Sequence, residues 1–223
     1  MLWFLLPTIA LSIFLIVASY HFGKEDSEIM VLQKTFLLKF IYFIKGSLVI
    51  LAPLFFQFNE TMSIFELLNF NIYFLSSLND EGIIKIFFYS SLLSNIYFLI
   101  GRGNYHNNAG FVFFDLFSIN LLYHFLAPLT AFTLYFCFIH SFRHSVSLID
   151  QLDGNDLKKG FKKFTKKALP LTIITAILFL FTVYFLKNYY VLDEAISKVI
   201  FIGLASLTFP HILLEYLLEI NEK

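Results

Sequence analysis

The sequence predicts an all-α fold, a polytopic transmembrane helical bundle of about six to seven spans, and three observations predict it. Of 223 residues, 58% are hydrophobic and only 14% charged, whereas an ordinary soluble domain carries about 25% charged residues. Apolar stretches near the ~20 residues needed to cross a ~30 Å hydrocarbon layer recur along the whole chain, so they form a membrane domain over 1–223 and not one anchor on a soluble body. Acidic and basic residues balance to zero net charge, yet Lys158, Lys159, Lys162, Lys163, Lys166 and Lys167 crowd into one segment. The overall balance therefore says nothing about nucleic acid, while the distribution carries topological information, and a basic flank on a membrane protein is expected there rather than a nucleic-acid site.

In chain order, residues 2–20 form an apolar run without the basic start and small-residue cleavage site of a signal peptide, and it leads directly into His21, so it reads as a retained helix. Runs at 36–58, 83–100, 169–186 and 196–218 each have the length of a span. Two regions are open to two readings. Residues 62–78 are interrupted by Glu66, Asn69 and Asn71, and residues 111–144 are too long for one straight span and contain Pro128, which predicts a kink or a tight hairpin.

The lysines sit among Leu157, Phe161, Phe164 and Ala168 at helical spacing, which reads as a basic interfacial helix. By the positive-inside rule the segment 149–168 lies on the cytoplasmic face. The span from Leu169 then runs outward, Asp193 and Glu194 lie outside, and the last span returns with His211 in its inner half. Working backward, His140, His144 and His21 reach the same face under both readings of the ambiguous regions. His106 and His124 hold no fixed level.

Four of the six histidines thus share one side of the membrane. An ionisable side chain at that depth is costly and faces the bundle interior, a partner or a metal. His140 and His144 are four residues apart, which puts both rings on one helical face with Cβ atoms about 5–6 Å apart. His21 begins the stretch His21-Phe22-Gly23-Lys24-Glu25-Asp26, where Asp26 or Glu28 is the expected carboxylate orienting the imidazole. His211 comes directly after Pro210, which frees a carbonyl and can bend the helix to aim the ring inward, and Glu215 lies one turn on. Cys137 is the only cysteine, which excludes an intramolecular disulfide and a thiolate-held zinc or iron–sulfur centre within this chain. A site of imidazoles suits iron, copper or zinc. The 31 phenylalanines can line a polyene tunnel, face lipid or reflect an AT-rich genome, and none is assigned singly.

Four stretches carry a family resemblance. YFCFIHSFRH at 135–144 resembles the YFCxxHSxRH signature of the bacterial and archaeal membrane β-carotene 15,15′-dioxygenases, the Brp/Blh-like group. Ser19-Tyr20-His21-Phe22-Gly23 with Asp26 is similar to its HFGxxD motif, and ALPLT at 168–172 and LTFPH at 207–211 to its later segments, in the same order. The resemblance runs from about Leu11 to Glu215. It implies an iron(II) enzyme of the inner (plasma) membrane, multi-pass, that takes β-carotene from the lipid bilayer. The reaction it implies uses O2 to cut the central double bond, giving two molecules of all-trans-retinal, with a retinal-binding opsin as functional partner. It also implies that His21, His140 and His144 are iron ligands and catalytic. Family members carry a further GxPHGxxD-like segment upstream. The sequence shows none, so a truncated or late-started chain is expected, with His211 completing the shell, or a degenerate protein, as the alternatives.

Three other readings remain beside this one. A diiron lipid hydroxylase or desaturase ordinarily needs more histidines than six. A transporter with a histidine pathway ordinarily shows an internal repeat, which is not evident here. A non-catalytic opsin-biogenesis protein differs from the enzyme only in activity.

Overall fold

The structure is a computed structural model that describes residues 2–28, 36–100, 109–154 and 156–221, and every element among them is a helix. Of these helices, three are long and apolar enough to cross a membrane: Pro7–Glu25, Lys39–Phe56 and Leu157–Leu186. Two shorter apolar helices cover Ile83–Tyr97 and Gly110–Phe125. The chain divides into two compact units, Met1–Phe132 with Leu204–Lys223, and Thr133–Gly203.

In the first unit, α1 (Leu2–Leu5) leads to α2 (Pro7–Glu28), whose first residue is a proline that needs no intrahelical donor there. Leu11, Phe14, Ala18, His21 and Phe22 form its buried stripe, while Ile9, Ile13 and Ile16 are exposed. A helix apolar on both faces is built for lipid on one of them. Its hydroxyls are satisfied locally, Ser12 donating to Thr8 O at 2.8 Å and Ser19 to Leu15 O at 2.8 Å.

α3 (Phe36–Gly46) and α4 (Leu48–Phe56) join at Ser47, where the hydrogen bonds Ser47 N to Phe43 O and Leu51 N to Ser47 O carry the helical path onward. α2 and α3 cross at glycines. A Cβ on Gly23 would overlap the carbonyl of Tyr42, and one on Gly46 would overlap the carbonyl of Ser19. Small residues at such a crossing let two membrane helices approach backbone to backbone.

The region 62–78 holds no single long helix. α5 (Phe58–Leu67) ends in a left-handed residue, Asn69 at φ 59°. Phe70 N donates to Phe65 O at 3.0 Å and Asn69 N to Glu66 O at 2.8 Å, with the Phe65 and Phe70 rings 5.6 Å apart. That is a Schellman stop with its apolar contact. Asn71 Oδ1 then accepts from Tyr73 N to start α6 (Tyr73–Asp80). Gly82, at φ 73°, turns the chain into α7 (Ile83–Ile100).

α4, α7 and α8 (Ala109–Phe125) meet through aromatic rings, Phe55 stacking on Phe88 at 4.0 Å and Phe56 edge-on to Phe88 and His124. Gln57, at the break between α4 and α5, donates through Nε2 to Tyr123 O at 2.8 Å and Leu126 O at 2.6 Å. These are carbonyls left over where α8 ends before Pro128. The predicted break at Pro128 is present, with α8 stopping at Phe125 and α9 (Pro128–Leu134) starting at the proline.

In the second unit, a π-helical segment, Tyr135–His140, runs into α10 (Ser141–Leu152). α11 (Leu157–Leu186) begins at Asp156, whose carboxylate caps it by accepting from Lys158 N at 3.0 Å and Lys159 N at 3.2 Å. Gly160 seats α11 against Ile149 of α10, where a Cβ would lie 2.5 Å from the Ile149 carbonyl oxygen. Lys163 bonds Asp153 at 2.8 Å, and that contact holds the Asp153 carboxyl below its ordinary value. Beyond Ala168 the helix is apolar around its circumference, with Leu171, Ile174, Ile177, Leu178, Phe181 and Phe185 all exposed. The first part of α12 (Leu192–Asn221) belongs to this unit and carries Lys198, paired with Glu194 and lying 3.9 Å over the Tyr190 ring.

Candidate metal-ligating histidines

His21 stands on the buried stripe of α2, two residues before the Gly23 crossing, and its side chain is 8% exposed. Its Nε2 lies 3.2 Å from Glu25 Oε2, one helical turn on. The carboxylate that meets His21 is therefore Glu25. The side chains of Asp26 and Glu28, expected in that role, lie outside the described residues.

His140 is the last residue of the π segment and is buried at 7% exposure. Ser141 N bonds back to Phe136 O, the five-residue closure that defines a π turn. Each such turn admits one residue more than an α-turn, which shifts the downstream residues by about 100° from where an unbroken α-helix of the same sequence would put them. The Phe136 ring lies beside the His140 imidazole, centroids 5.7 Å apart at 25°. His144, half-buried, lies four residues later in α10, one helical turn from His140.

The other histidines divide. His124 is exposed on α8 with its ring edge-on to Phe56 at 5.6 Å and Phe125 at 4.8 Å, an aromatic setting. His211 lies in α12 directly after Pro210, while its side chain and that of Glu215 lie outside the described residues, as does all of His106. The donors that are described, imidazole nitrogens with one adjoining carboxylate, fit a divalent transition metal better than the all-oxygen shells that calcium and magnesium take.

The family model described as Beta-carotene 15,15'-dioxygenase matches residues 1–219. The chain belongs to that family. A curated relative, "Beta-carotene 15,15'-dioxygenase" from Uncultured marine bacterium 66A03, is 29% identical over 225 residues, covering 96% of this chain and 74% of the relative. No solved structure matches. Within this dioxygenase family, the signature at 135–144 coincides with the π segment and the first turn of α10, and the HFG motif with the glycine crossing of α2 and α3. Sequence reasoning missed the π turn and Glu25. The latter was open to detection, because Glu25 stands four residues after His21.

Proposed function

We propose that this chain uses dioxygen at an iron(II) centre to cleave the central 15,15′ double bond of β-carotene into two molecules of all-trans-retinal. The observation that carries the reading is the family match over residues 1–219. His21, His140 and His144 are the proposed ligands and His211 a fourth, a nitrogen-rich set suited to iron(II). When bound, iron supplies open positions and the redox chemistry that activates dioxygen. The protein's own part is to hold the imidazoles in fixed rotamers and to seat the polyene so that only its middle bond meets the oxidant. In the overall reaction the carbon–carbon double bond breaks and each of its carbons takes one atom of O2. Oxygen is reduced, the two alkene carbons are oxidised to aldehydes, and no further reductant is needed.

The setting is a multi-pass protein of the inner (plasma) membrane with about six to seven spans, the basic segment 149–168 on the cytoplasmic side and β-carotene entering from the bilayer. Retinal released there is available to a retinal-binding opsin, the proposed functional partner. Expression in cells that make β-carotene tests the activity. The expected result is loss of orange colour together with retinal detected by chromatography, because halving the conjugated system moves absorption out of the blue-green. Bleaching without retinal, or neither effect, would refute it. Reporters fused after Lys167 and near Asp193 test the topology, the first reading as cytoplasmic and the second as external.

A further inference from the structure

We propose that Glu25 is itself a metal ligand, sharing one divalent ion with His21 on the same face of α2; this rests on the reading of a metal centre at His21. The geometry lies within one helix. His21 Nε2 and Glu25 Oε2 are 3.2 Å apart, with the imidazole 8% and the carboxylate 20% exposed. Metal–nitrogen and metal–oxygen bonds of about 2.0–2.2 Å, meeting at about 90–110°, put two neighbouring donor atoms about 3.0–3.4 Å apart, so the observed spacing, which an ion pair also shows, is one that two ligands on one ion would have.

The ring atom that faces Glu25 is Nε2. A carboxylate that only oriented a ligating histidine would take its hydrogen bond from the ring nitrogen turned away from the metal. If Glu25 had that outer role, Nε2–H would be committed to it and the metal would have to sit at Nδ1, the nitrogen nearer the helix backbone. Placing the ion between Nε2 and Oε2 uses both donors, and it brings a negative charge to a divalent cation. The fold supports the pair on both sides. Phe22 is buried next to His21, and Gly23 fixes the turn between the two ligands against Tyr42. A carboxylate joined to imidazoles with positions left open is also a donor set used by non-haem iron(II) enzymes that bind dioxygen.

The test uses the purified full chain in detergent, stripped of metal and titrated with Co(II), whose visible bands report the number and kind of ligands. Wild type, Glu25→Gln, Glu25→Asp and His21→Ala are compared, with helical circular dichroism as the check on folding. Glu25→Gln is expected to move the visible bands and to weaken Co(II) binding by more than the about 10–100-fold that loss of an outer carboxylate costs, while Glu25→Asp retains binding with bands displaced from wild type, because its shorter side chain alters the geometry of a ligating carboxylate. A folded Glu25→Gln protein with unchanged bands, whatever its affinity, overturns the inference while leaving the metal centre standing. If Glu25→Gln does not fold, the bands of Glu25→Asp decide: a shift relative to wild type supports ligation, and an identical spectrum overturns it. Failure of the wild-type chain to bind Co(II) or iron overturns the metal centre and the inference together.

Discussion

Gly46 of α3 is in direct contact with Gly23 of α2, so close that a Cβ on Gly46 would lie 2.9 Å from the Gly23 Cα. The obstacles are backbone atoms of the facing helix, which no rotamer change can move. Gly23→Ala or Gly46→Ala should therefore force the two helices apart and destabilise the protein by about 3 kcal/mol or more. Thermal unfolding in detergent measures the loss. His21 lies two residues from this crossing, so metal affinity should fall in the same variants.

Among the histidines, His140→Ala and His144→Ala should each remove most of the bound iron, because each deletes a full bond from a small shell. His124→Ala should leave iron content near wild type, since that ring is exposed and flanked by Phe56 and Phe125. Elemental analysis of purified variants checks both. Iron retained by His144→Ala would redirect attention to a different ligand set.

The π segment gives a sharper test than any point substitution. Deleting Phe138 removes the one residue that the widened turn accommodates, so Tyr135–His140 should close as an ordinary α-turn with the downstream residues still in phase with the upstream ones. Helical content by circular dichroism and iron binding should both stay close to wild type. A folded deletion variant that loses iron would show that the widened turn itself, and not the phase it sets, places His140.

Acid should loosen the α10–α11 turn at a definable point. The hydrogen bond from Lys163 holds the Asp153 carboxyl below its ordinary value. Its stabilising contribution is thus full above the unfolded-state pKa of about 3.9 and is lost as pH falls through the lower folded value. Amide exchange at this turn should be insensitive to the pair between neutral pH and about pH 5. It should speed up only in stronger acid, and Lys163→Met should abolish that acid step.

How much of this was legible in the sequence depends on whether a feature is local. The break at Pro128 and the one-turn spacing of His140 and His144 were legible because they arise from residues within one or two turns of each other, and the Asp156 cap is as local, although the sequence reading did not name it. Asn69 reads in the sequence only as an interruption, although an asparagine with an aromatic residue after it is also what a Schellman stop needs. Asp26 and Glu28 drew the expectation of a carboxylate partner away from Glu25, yet the i, i+4 rule that joins His140 to His144 joins His21 to Glu25. The π turn leaves no comparable mark, because Tyr135 to Ile139 are ordinary helix residues whose extra closure is set by their surroundings. Gln57 was invisible for another reason: its partners are the backbone carbonyls of Tyr123 and Leu126, to which side-chain identity gives no clue.

The bare apolar stretch of α11 has a consequence for how the protein responds to its surroundings. Residues 169–186, at 1.5 Å each, rise about 27 Å, close to the ~30 Å of a typical hydrocarbon layer. A stretch this apolar and exposed suits lipid tails where a water-soluble fold has a second layer of side chains. Acyl-chain length then becomes a structural variable. A thicker bilayer must thin around the helix or draw its lysines inward, a thinner one must tilt it, and either adjustment is transmitted to α10 through the seat of Gly160 on Ile149.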